Sequence, residues 1–461
     1  MSGAAFQIIR RALDVWKTPC LNFAPMAETP AAFQPGLSGF RALLTERNFS
    51  LYFAATSIST LGTAVAGVGL SLALLACGYQ VSAVGLVLAA QTVATLVFTL
   101  AGGVAGDRWS RRSLMVASDL LRFCSESCLA ILLATSHPPV AILTALGACV
   151  GIGNAFYRPA AGGLVPQIVT KDHLQNANAM SSLSAALSLV LGPAIGGLLV
   201  GLGGGVFTIA ADAASYLASA ALLTFVKFPA PQTDKPKTSL MADLRLGAQE
   251  FRAHRWLAFT TIQIAVVNAL ALAMLLVIGP ALFAHLKDGP RNWGLVTSCL
   301  GAGAFLGGLI ILRVSVARPL LVIQFCIIPM SAPFILLALH APLPLLMLGS
   351  ATQGVGMAMA NTLFQTAVQK TIALHLLSRV SSLISMVTMS LIPIGYALSG
   401  PAAAHFGPRP TMGAGACLVL LTVAMSVMMP EIRDFGAVRE KRESSAFLKK
   451  SAQKTFDSPG L

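Results

Sequence analysis

Two long stretches of this chain contain no charged residue: Asn48 to Gly106 and Pro319 to Gln369. Each is long enough for two membrane crossings, because one helical crossing needs about 20 apolar residues. Charged residues make up only 10% of the whole sequence, whereas soluble domains carry charge on about a quarter of their residues. We therefore predict a polytopic membrane protein, and the pattern excludes an ordinary soluble enzyme.

Charged residues and segments rich in proline and glycine divide the chain into twelve predicted helices. The first six cover residues 50–78, 83–105, 113–135, 139–157, 176–200 and 206–226. The other six cover residues 257–284, 292–312, 319–339, 343–367, 380–402 and 409–429. The predicted fold class is an all-α integral membrane protein with twelve transmembrane helices.

Basic residues collect on one side of these helices. The formal net charge is +14, from 31 Lys and Arg against 17 Asp and Glu. With the N-terminus inside, cytoplasmic segments contain 27 of the Lys and Arg residues, and the outer loops contain only Lys287, Arg291 and Arg409. Positive residues mark the cytoplasmic loops of membrane proteins. We therefore predict that both termini are cytoplasmic, and that the charge reflects topology and not nucleic-acid binding.

Cysteine and histidine indicate no cofactor. The eight cysteines are dispersed, form no C-x-x-C pair and do not cluster with histidine at ligand spacing. The sequence contains no nucleotide-binding loop and no recognised combination of nucleophile, base and orienting group. It therefore predicts no metal, no cofactor and no enzyme.

The two halves of the chain resemble each other. At an offset of 203 residues, Gly151-Ile-Gly153 matches Gly354-Val-Gly356. An even number of spans separates the repeats, so they point the same way in the membrane, and the sequence predicts two parallel six-helix bundles. The predicted segments are a cytoplasmic N-terminal segment (1–48), an N-terminal bundle (49–226), a cytoplasmic linker (227–255), a C-terminal bundle (256–430) and a cytoplasmic tail (431–461).

The most specific motif follows the second helix, where residues 103–112 read G-V-A-G-D-R-W-S-R-R. This run resembles the signature loop of the major facilitator superfamily, with Ser110 where that pattern normally has glycine. Small Gly103 would let helices approach closely, and Asp107 would meet the positive end of a neighbouring helix. The arginines would pair with carboxylates or lipid phosphates. The motif therefore predicts a conformational latch formed by Gly103, Asp107, Arg108, Arg111 and Arg112.

Further segments narrow the resemblance to the drug and siderophore exporters of that superfamily. They include Asp119-Leu-Leu-Arg122, Asp212-Ala-Ala-Ser215-Tyr216, Trp293-Gly-Leu-Val296 and Pro430-Glu-Ile-Arg-Asp-Phe435. That branch includes enterobactin exporters, macrolide efflux proteins and lysophospholipid transporters. The resemblance implies an exporter but does not identify its substrate.

The fifth predicted helix contains Gly192-Pro193-Ala-Ile-Gly196-Gly197, which resembles the helix-kinking motif associated with antiporters. Proline removes a backbone hydrogen bond, and the glycines permit tight packing. We expect a bend at the bundle interface. Small-residue packing without a role in transport is the alternative.

Four charged side chains fall inside predicted spans, where each is costly and is a functional candidate. Asp119, Arg122 and Glu126 share one face of the third helix, within about 60°. Asp119 and Arg122 fit a structural ion pair near the arginine-rich loop. Glu126 lies near the bilayer centre, where competition between desolvation and Arg122 suits a group that binds and releases protons; a Glu126 that only satisfies hydrogen bonds is the alternative. Asp212 is a candidate for coupling, substrate contact or helix packing.

In the arrangement typical of the superfamily, helices 1, 4, 7 and 10 line the substrate cavity. The candidate substrate contacts are Asn154, Tyr157, Asn268, Gln353, Asn361 and Gln365. This mixture suits an amphipathic organic molecule. We predict a monomeric secondary transporter of the bacterial inner membrane that exports such a molecule by proton antiport and alternating access. The alternatives are an uptake symporter, a lysophospholipid transporter of the same fold, or a non-transporting membrane sensor or scaffold.

Overall fold

The structure is a computed structural model that describes residues 21–22, 43–170, 173–227, 249–433 and 435; for residues 21, 22, 104, 106–108, 315, 374, 375 and 378 it describes only the backbone. Most of the predicted N-terminal segment, linker and tail therefore lie outside the described residues. A two-residue strand, β1 (Leu21–Asn22), pairs antiparallel with β2 (Ser315–Val316).

Long helices form almost all of the described chain. The first half contains α1 (Arg47–Ala76), α2 (Val81–Arg108), α3 (Arg111–Thr135), α4 (Val140–Ile168), α5 (Leu174–Gly203) and α6 (Gly205–Thr224). The second half contains α7 (Arg255–Phe283), α8 (Gly289–Ile311), α9 (Pro319–Ala338), α10 (Leu343–Thr371), α11 (Leu374–Ser390 with Ile392–Phe406), α12 (Pro408–Met428) and the short α13 (Pro430–Arg433). Apolar runs become helices because a helix satisfies its own backbone hydrogen bonds in hydrocarbon.

Among the described residues, 11 helices are long and apolar enough to cross a membrane. The remaining long helix, α3, has 25 residues but carries Asp119, Arg122 and Glu126 in its middle. These three charges lower its hydropathy, although it packs inside the first bundle against α4 and α6. The fold therefore has the twelve predicted spans, and the exceptional one carries the charged side chains.

The fourth predicted helix ends too early. The sequence-based boundary was residue 157, whereas α4 continues to Ile168 and contains Pro159 and Pro166. Arg158 and Pro159 together indicated a helix end, because proline removes one backbone hydrogen bond and arginine favours the interface. Neighbouring helices in a membrane bundle can compensate for a proline, so the helix runs on.

The turns support the internal duplication. Gly204 links α5 to α6 with φ +78°, and Gly407 links α11 to α12 with φ +89°. These two residues are 203 positions apart. A positive φ strains any residue with a Cβ, so glycine serves both turns for the same physical reason.

The two bundles pack together at one end, which we call the far end; the opposite end, where the turn between α2 and α3 lies, is the basic end. One far-end cluster joins Val68 and Leu72 of α1 to Ile278 of α7 and Trp293 of α8. Another far-end cluster includes Tyr396 of α11 together with residues of α1, α2, α3 and α4. The hydroxyl of Ser71 also donates a hydrogen bond across the interface to the carbonyl of Leu276, within a π-helical turn of α7. The far end is therefore closed.

The basic end has no such shared cluster among the described residues. Phe49, Met115 and Leu164 belong to an apolar cluster formed only by the first half of the chain. Trp256 and Phe364 belong to another cluster formed only by the second half. The described apolar clusters therefore join the two bundles at the far end, whereas at the basic end each bundle has a cluster of its own.

Candidate functional site

The charged residues of α3 lie inside the first bundle. Asp119 is 0% exposed, Arg122 3%, Glu126 8%, and Asp212 of α6 1%. All four side chains belong to one cluster on the facing sides of α3 and α6. The prediction that the three α3 side chains share one helix face agrees with this arrangement.

Arg122 is at the centre of this cluster. Its Nη2 pairs with Oδ1 of Asp119, and its Nη1 donates to Oδ1 of Asn154 at 3.2 Å. Its guanidinium carbon lies 4.2 Å from the ring centroid of Tyr157 and 4.2 Å from that of Tyr216. The arginine thus connects α3, α4 and α6 through an ion pair, a hydrogen bond and two cation–π contacts.

Hydroxyl groups complete the polar contacts of the cluster. Ser219 donates to Oδ2 of Asp119 at 2.7 Å, and Ser215 donates to Oδ1 of Asp212 at 2.9 Å. The hydroxyls of Thr63 and Tyr216 are 3.0 Å apart and share a hydrogen bond. This last contact brings α1 into the same network.

Glu126 and Asp212 form the second acidic group of the cluster. Their buried carboxyl groups lie close enough to interact electrostatically. An ionised carboxylate only accepts hydrogen bonds, so these two carboxyls can bond to each other only when one of them carries a proton. The structure therefore places together two acids that the sequence analysis treated separately, in an arrangement that can hold a shared proton.

Two glycines make room for this cluster. A Cβ at Gly62 of α1 would overlap the side chains of Ser215 and Asp212, and a Cβ at Gly153 of α4 would overlap Cγ of Arg122. Backbones approach closely at such small residues in membrane bundles. The first helix, α1, has no acidic residue of its own. It nevertheless lies next to a carboxyl, because Asp212 of α6 is adjacent to Gly62.

Three buried polar atoms of the cluster have no hydrogen-bond partner: Nε of Arg122, Oε2 of Glu126 and Oη of Tyr157. Buried polar groups are nearly always paired, so an unpaired donor and acceptor need an explanation such as a water molecule or a change of partner. The positive Nε and the acidic Oε2 belong to residues one helical turn apart.

The glycine–proline motif of α5 lies where two interfaces meet. A Cβ at Gly192 or at Gly196 would overlap α1, at Ala64 and Val65 respectively. A Cβ at Gly197 would lie 2.7 Å from the carbonyl oxygen of Pro290 and 3.0 Å from Cα of Gly294, both in α8. Across the same contact, the carbonyl of Pro193 faces Gly294. The motif therefore packs α5 within its own bundle and against the other bundle; the expected bend stays a prediction.

The predicted latch needs one correction. A Cβ at Gly103 would meet nothing within 4 Å, whereas a Cβ at Gly102 would overlap the carbonyl oxygen of Ala155 in α4. The prediction that Gly103 permits the close approach of helices is therefore wrong, and Gly102 has that role, because Gly102 is the residue of the pair that faces α4.

The arginines of the latch loop lie against the ends of neighbouring helices. The guanidinium of Arg111 lies at Gly163 of α4, where an added Cβ would overlap it. Nη1 of Arg112 donates to the carbonyl of Val226 at 3.0 Å, just after α6. The side chains of Asp107 and Arg108 lie outside the described residues, so the role of the latch stays a prediction.

The candidate substrate contacts fall into three environments. Asn154 and Tyr157 are half-buried and contact Arg122, so they link the cavity wall to the charged cluster. Gln353 is buried, which is not expected of a residue that faces an open cavity. Asn268 is half-buried beside Thr388 of α11, and Asn361 and Gln365 of α10 are exposed.

The second bundle contains an uncharged counterpart that the sequence analysis missed. Nε2 of Gln263 in α7 donates to Oε1 of Gln324 in α9 at 2.8 Å and approaches the hydroxyl of Thr422 in α12 at 3.5 Å. At offsets of 205 and 203 residues, Gln324 and Thr422 match the pair Asp119 and Ser219. The internal repeat could have revealed this group from the sequence. At the positions that match Asp119 and Ser219, the second half has polar residues without a charge.

Within the described residues, no group of three or more His, Cys, Asp or Glu side chains is arranged to hold a metal ion. The cluster has hydrogen-bond donors, acceptors and one positive charge. Such groups can bind and release protons or polar ligands.

Comparisons with known proteins agree with the resemblance to membrane exporters. Residues 38–456 match the profile of a protein family described as transmembrane secretion effector. The multidrug efflux pump Tap of Mycolicibacterium fortuitum is 26% identical over 361 residues, which cover 75% of this chain and 86% of that protein. The enterobactin exporter EntS of Escherichia coli O9:H4 is 25% identical over 416 residues, covering 87% and 96%.

Solved structures share the architecture. A crystal structure of a bacterial homolog of the human lysosomal transporter Spinster, in an inward-facing and unoccupied conformation, is similar with a TM-score of 0.63 and 14% identity, covering 82% of this chain and 96% of that one. At this identity the likeness shows the fold alone. It confirms the predicted fold, and the relatives confirm the resemblance to exporters of drugs and siderophores.

Proposed function

The chain belongs to the transmembrane secretion effector family of the major facilitator superfamily, a family of membrane transporters, and we propose that it exports an amphipathic small molecule in exchange for protons. The observation that carries this proposal is the contact between the buried carboxyls of Glu126 and Asp212. Such a pair is costly inside a membrane and has no evident purpose in a purely structural bundle.

Charge balance makes this pair a proton site. The cluster contains three carboxyls, Asp119, Glu126 and Asp212, and one arginine, Arg122. Arg122 neutralises Asp119, with which it pairs directly. Glu126 and Asp212 therefore approach neutrality only by binding protons, and proton binding from one side with release on the other gives the coupling that an antiporter requires.

The direction of transport follows from several features taken together. Relatives named as a multidrug efflux pump and an enterobactin exporter support export. The motif from Gly192 to Gly197, which resembles that of antiporters, lies between α1 and α8, where the bundles must move against each other. We place the basic end and both termini in the cytoplasm, because basic residues mark cytoplasmic loops. We infer that the protein resides in the bacterial inner membrane and that the basic end, where the described residues form no apolar cluster shared by the two bundles, faces the cytoplasm.

The substrate class follows from the cavity wall. Exposed Asn361 and Gln365 of α10 face away from the packed side of that helix, and half-buried Asn154 and Asn268 lie on α4 and α7. Amide side chains beside apolar residues and methionine suit a molecule with both polar and apolar parts. A role of the latch loop in stabilising the outward-facing state would need contacts with the second bundle, because the described contacts of Arg111 and Arg112 lie within the first bundle.

The test uses inside-out vesicles acidified by respiration, with proton release recorded as macrolides, lipophilic cations, catecholate siderophores and lysophospholipids are added. Wild type is compared with Glu126→Gln and Asp212→Asn. The matched control is Ser184→Ala, which removes a 2.7 Å hydrogen bond to Ser57 in the same bundle but outside the cluster. We expect substrate-dependent proton release in wild type and in the control, and its loss in either carboxyl variant.

Other outcomes separate the competing functions. Proton flow in the same direction as the substrate would identify an uptake symporter. Movement of labelled substrate without proton release would contradict proton antiport, and binding without any flux would identify a sensor or scaffold. A response to lysophospholipids alone would assign the lipid class of substrate.

A further inference from the structure

We propose that Arg122 exchanges partners along α3 as protons bind and leave, and that Asn154 passes this change to the cavity wall. The inference rests on the proposed proton site at Glu126 and Asp212. It assigns to Asn154 a positioning role in coupling in place of the predicted substrate contact.

The position of Arg122 between two acids is the first observation. Asp119 precedes Arg122 by three residues and Glu126 follows it by four, so each acid lies one helical turn away on the same face. Among the described residues, the arginine forms its ion pair with Asp119 and not with Glu126. Its Nε and Oε2 of Glu126 are both buried without a partner. A positive donor and an acidic acceptor left unpaired at this spacing indicate a second arrangement in which they meet.

The two tyrosine rings provide a path between these arrangements. Tyr157 of α4 and Tyr216 of α6 both contact the guanidinium, each with its ring centroid 4.2 Å from the central carbon. A cation that contacts two aromatic rings can shift its donor groups by a few ångströms and stay within the cation–π range of about 6 Å. Because one ring belongs to α4 and the other to α6, both rings line the path of Arg122 along α3, between Asp119 and Glu126.

Protonation decides which partner is favoured. While Glu126 and Asp212 share protons, their charge is reduced and Arg122 stays with Asp119. When the protons leave, the negative charge attracts the guanidinium one turn towards the far end. The other titratable groups that face Arg122 are Tyr157 of α4 and Tyr216 of α6, which stay neutral and serve as ring walls.

Asn154 connects this exchange to the cavity. Its Oδ1 accepts from Nη1 of Arg122 at 3.2 Å, and the neighbouring Gly153 lets the arginine side chain lie directly against α4. Movement of Arg122 towards Glu126 breaks this hydrogen bond. The same α4 carries Tyr157, so the helix that lines the cavity is held differently in the two proton states.

The experiment measures a distance that reports on α4. Spin labels are placed at the exposed residues Gln167, near the basic end of α4, and Gln369, near the basic end of α10, in full-length protein without other reactive cysteines. The label-to-label distance distribution is recorded by pulsed electron paramagnetic resonance across a range of pH in lipid nanodiscs. Proton uptake after a pH jump is measured separately with an indicator dye.

We expect the wild-type distribution to change with pH, and the change to be lost in Asn154→Leu while proton uptake persists. Asn154→Asp keeps an acceptor oxygen and should retain a pH response with a displaced midpoint. Ser184→Ala should behave as wild type. If Asn154 had only a structural role, Asn154→Leu would not abolish the pH-dependent distance change while leaving proton uptake intact.

Two failures are distinguishable. If Asn154→Leu shows the wild-type pH response, or if the wild-type distance does not depend on pH, the exchange of partners is wrong while the proton site stands. If Glu126→Gln and Asp212→Asn both keep the wild-type proton uptake, the proposed proton site itself is wrong.

Discussion

Replacement of Arg122 by methionine should destabilise the protein strongly. The ion pair with Asp119 is enclosed, with side-chain exposures of 4% and 0%. Removal of one partner from a buried ion pair costs roughly 3–5 kcal/mol, because a buried charge is left without compensation. Loss of desolvated cation–π contacts with Tyr157 and Tyr216 adds about 1–2 kcal/mol. Uptake of a proton by Asp119 offsets part of this, so we expect a net loss of at least about 3 kcal/mol.

The double variant Asp119→Asn/Arg122→Met separates the pair from simple loss of packing. It removes both charges, and replacement of a whole buried ion pair by neutral residues is often close to neutral in stability. We therefore expect the double variant to be more stable than Arg122→Met alone, with a coupling energy of about 2 kcal/mol or more. Ser219 can still donate to the new amide oxygen, as it does to Asp119.

The assay is reversible unfolding in mixed micelles by titration with sodium dodecyl sulfate, followed by intrinsic fluorescence. Arg291→Met is the matched control, because Arg291 is an exposed residue at the start of α8 and its replacement should change stability by about 0.5 kcal/mol or less. The single variant Asp119→Asn completes the cycle. A loss below about 1 kcal/mol for Arg122→Met, or a double variant whose loss equals the sum of the losses of Arg122→Met and Asp119→Asn, would refute the reasoning.

Three further predictions use pairs of neighbouring positions or single contacts. Gly62→Ala should abolish transport because its Cβ overlaps the buried acid of α6, whereas Gly67→Ala, with nothing within 4 Å, should retain transport; equal activities in vesicles would contradict this. Gly102→Ala should lower the yield of folded protein in size-exclusion chromatography, and Gly103→Ala should not; the reverse order would restore the motif-based expectation. Ser71→Ala removes the hydrogen bond across the far end and should increase labelling of far-end cysteines by a membrane-impermeant reagent; unchanged labelling would show that this contact does not hold the far end closed.

The helices could be predicted from the sequence because each depends on local composition. A run of about 20 apolar residues can satisfy its backbone only as a helix, so eleven helices in the described chain follow from hydropathy. The shared face of Asp119, Arg122 and Glu126 followed from helical spacing alone. The end of α4 could not be predicted from helical spacing or composition, because the effect of Pro159 depends on the helices that surround it.

The contacts between helices were beyond the reach of sequence reasoning. The meeting of Glu126 with Asp212 depends on how α3 and α6 are rotated, and on Gly62 of α1 leaving space for the carboxyl. The same holds for Gly102 and Gly103, since only packing decides which of the two faces α4. Apolar stretches specify that a helix forms, whereas small residues and side-chain shape specify its neighbours.

The most direct test of the account uses purified protein in liposomes, with a substrate identified by the vesicle screen and an imposed pH difference. The account predicts that substrate accumulates on the acidic side, that reversal of the pH difference reverses the net flux, and that Glu126→Gln and Asp212→Asn abolish the accumulation. Substrate that only equilibrates, whatever the pH difference, would contradict proton-coupled export.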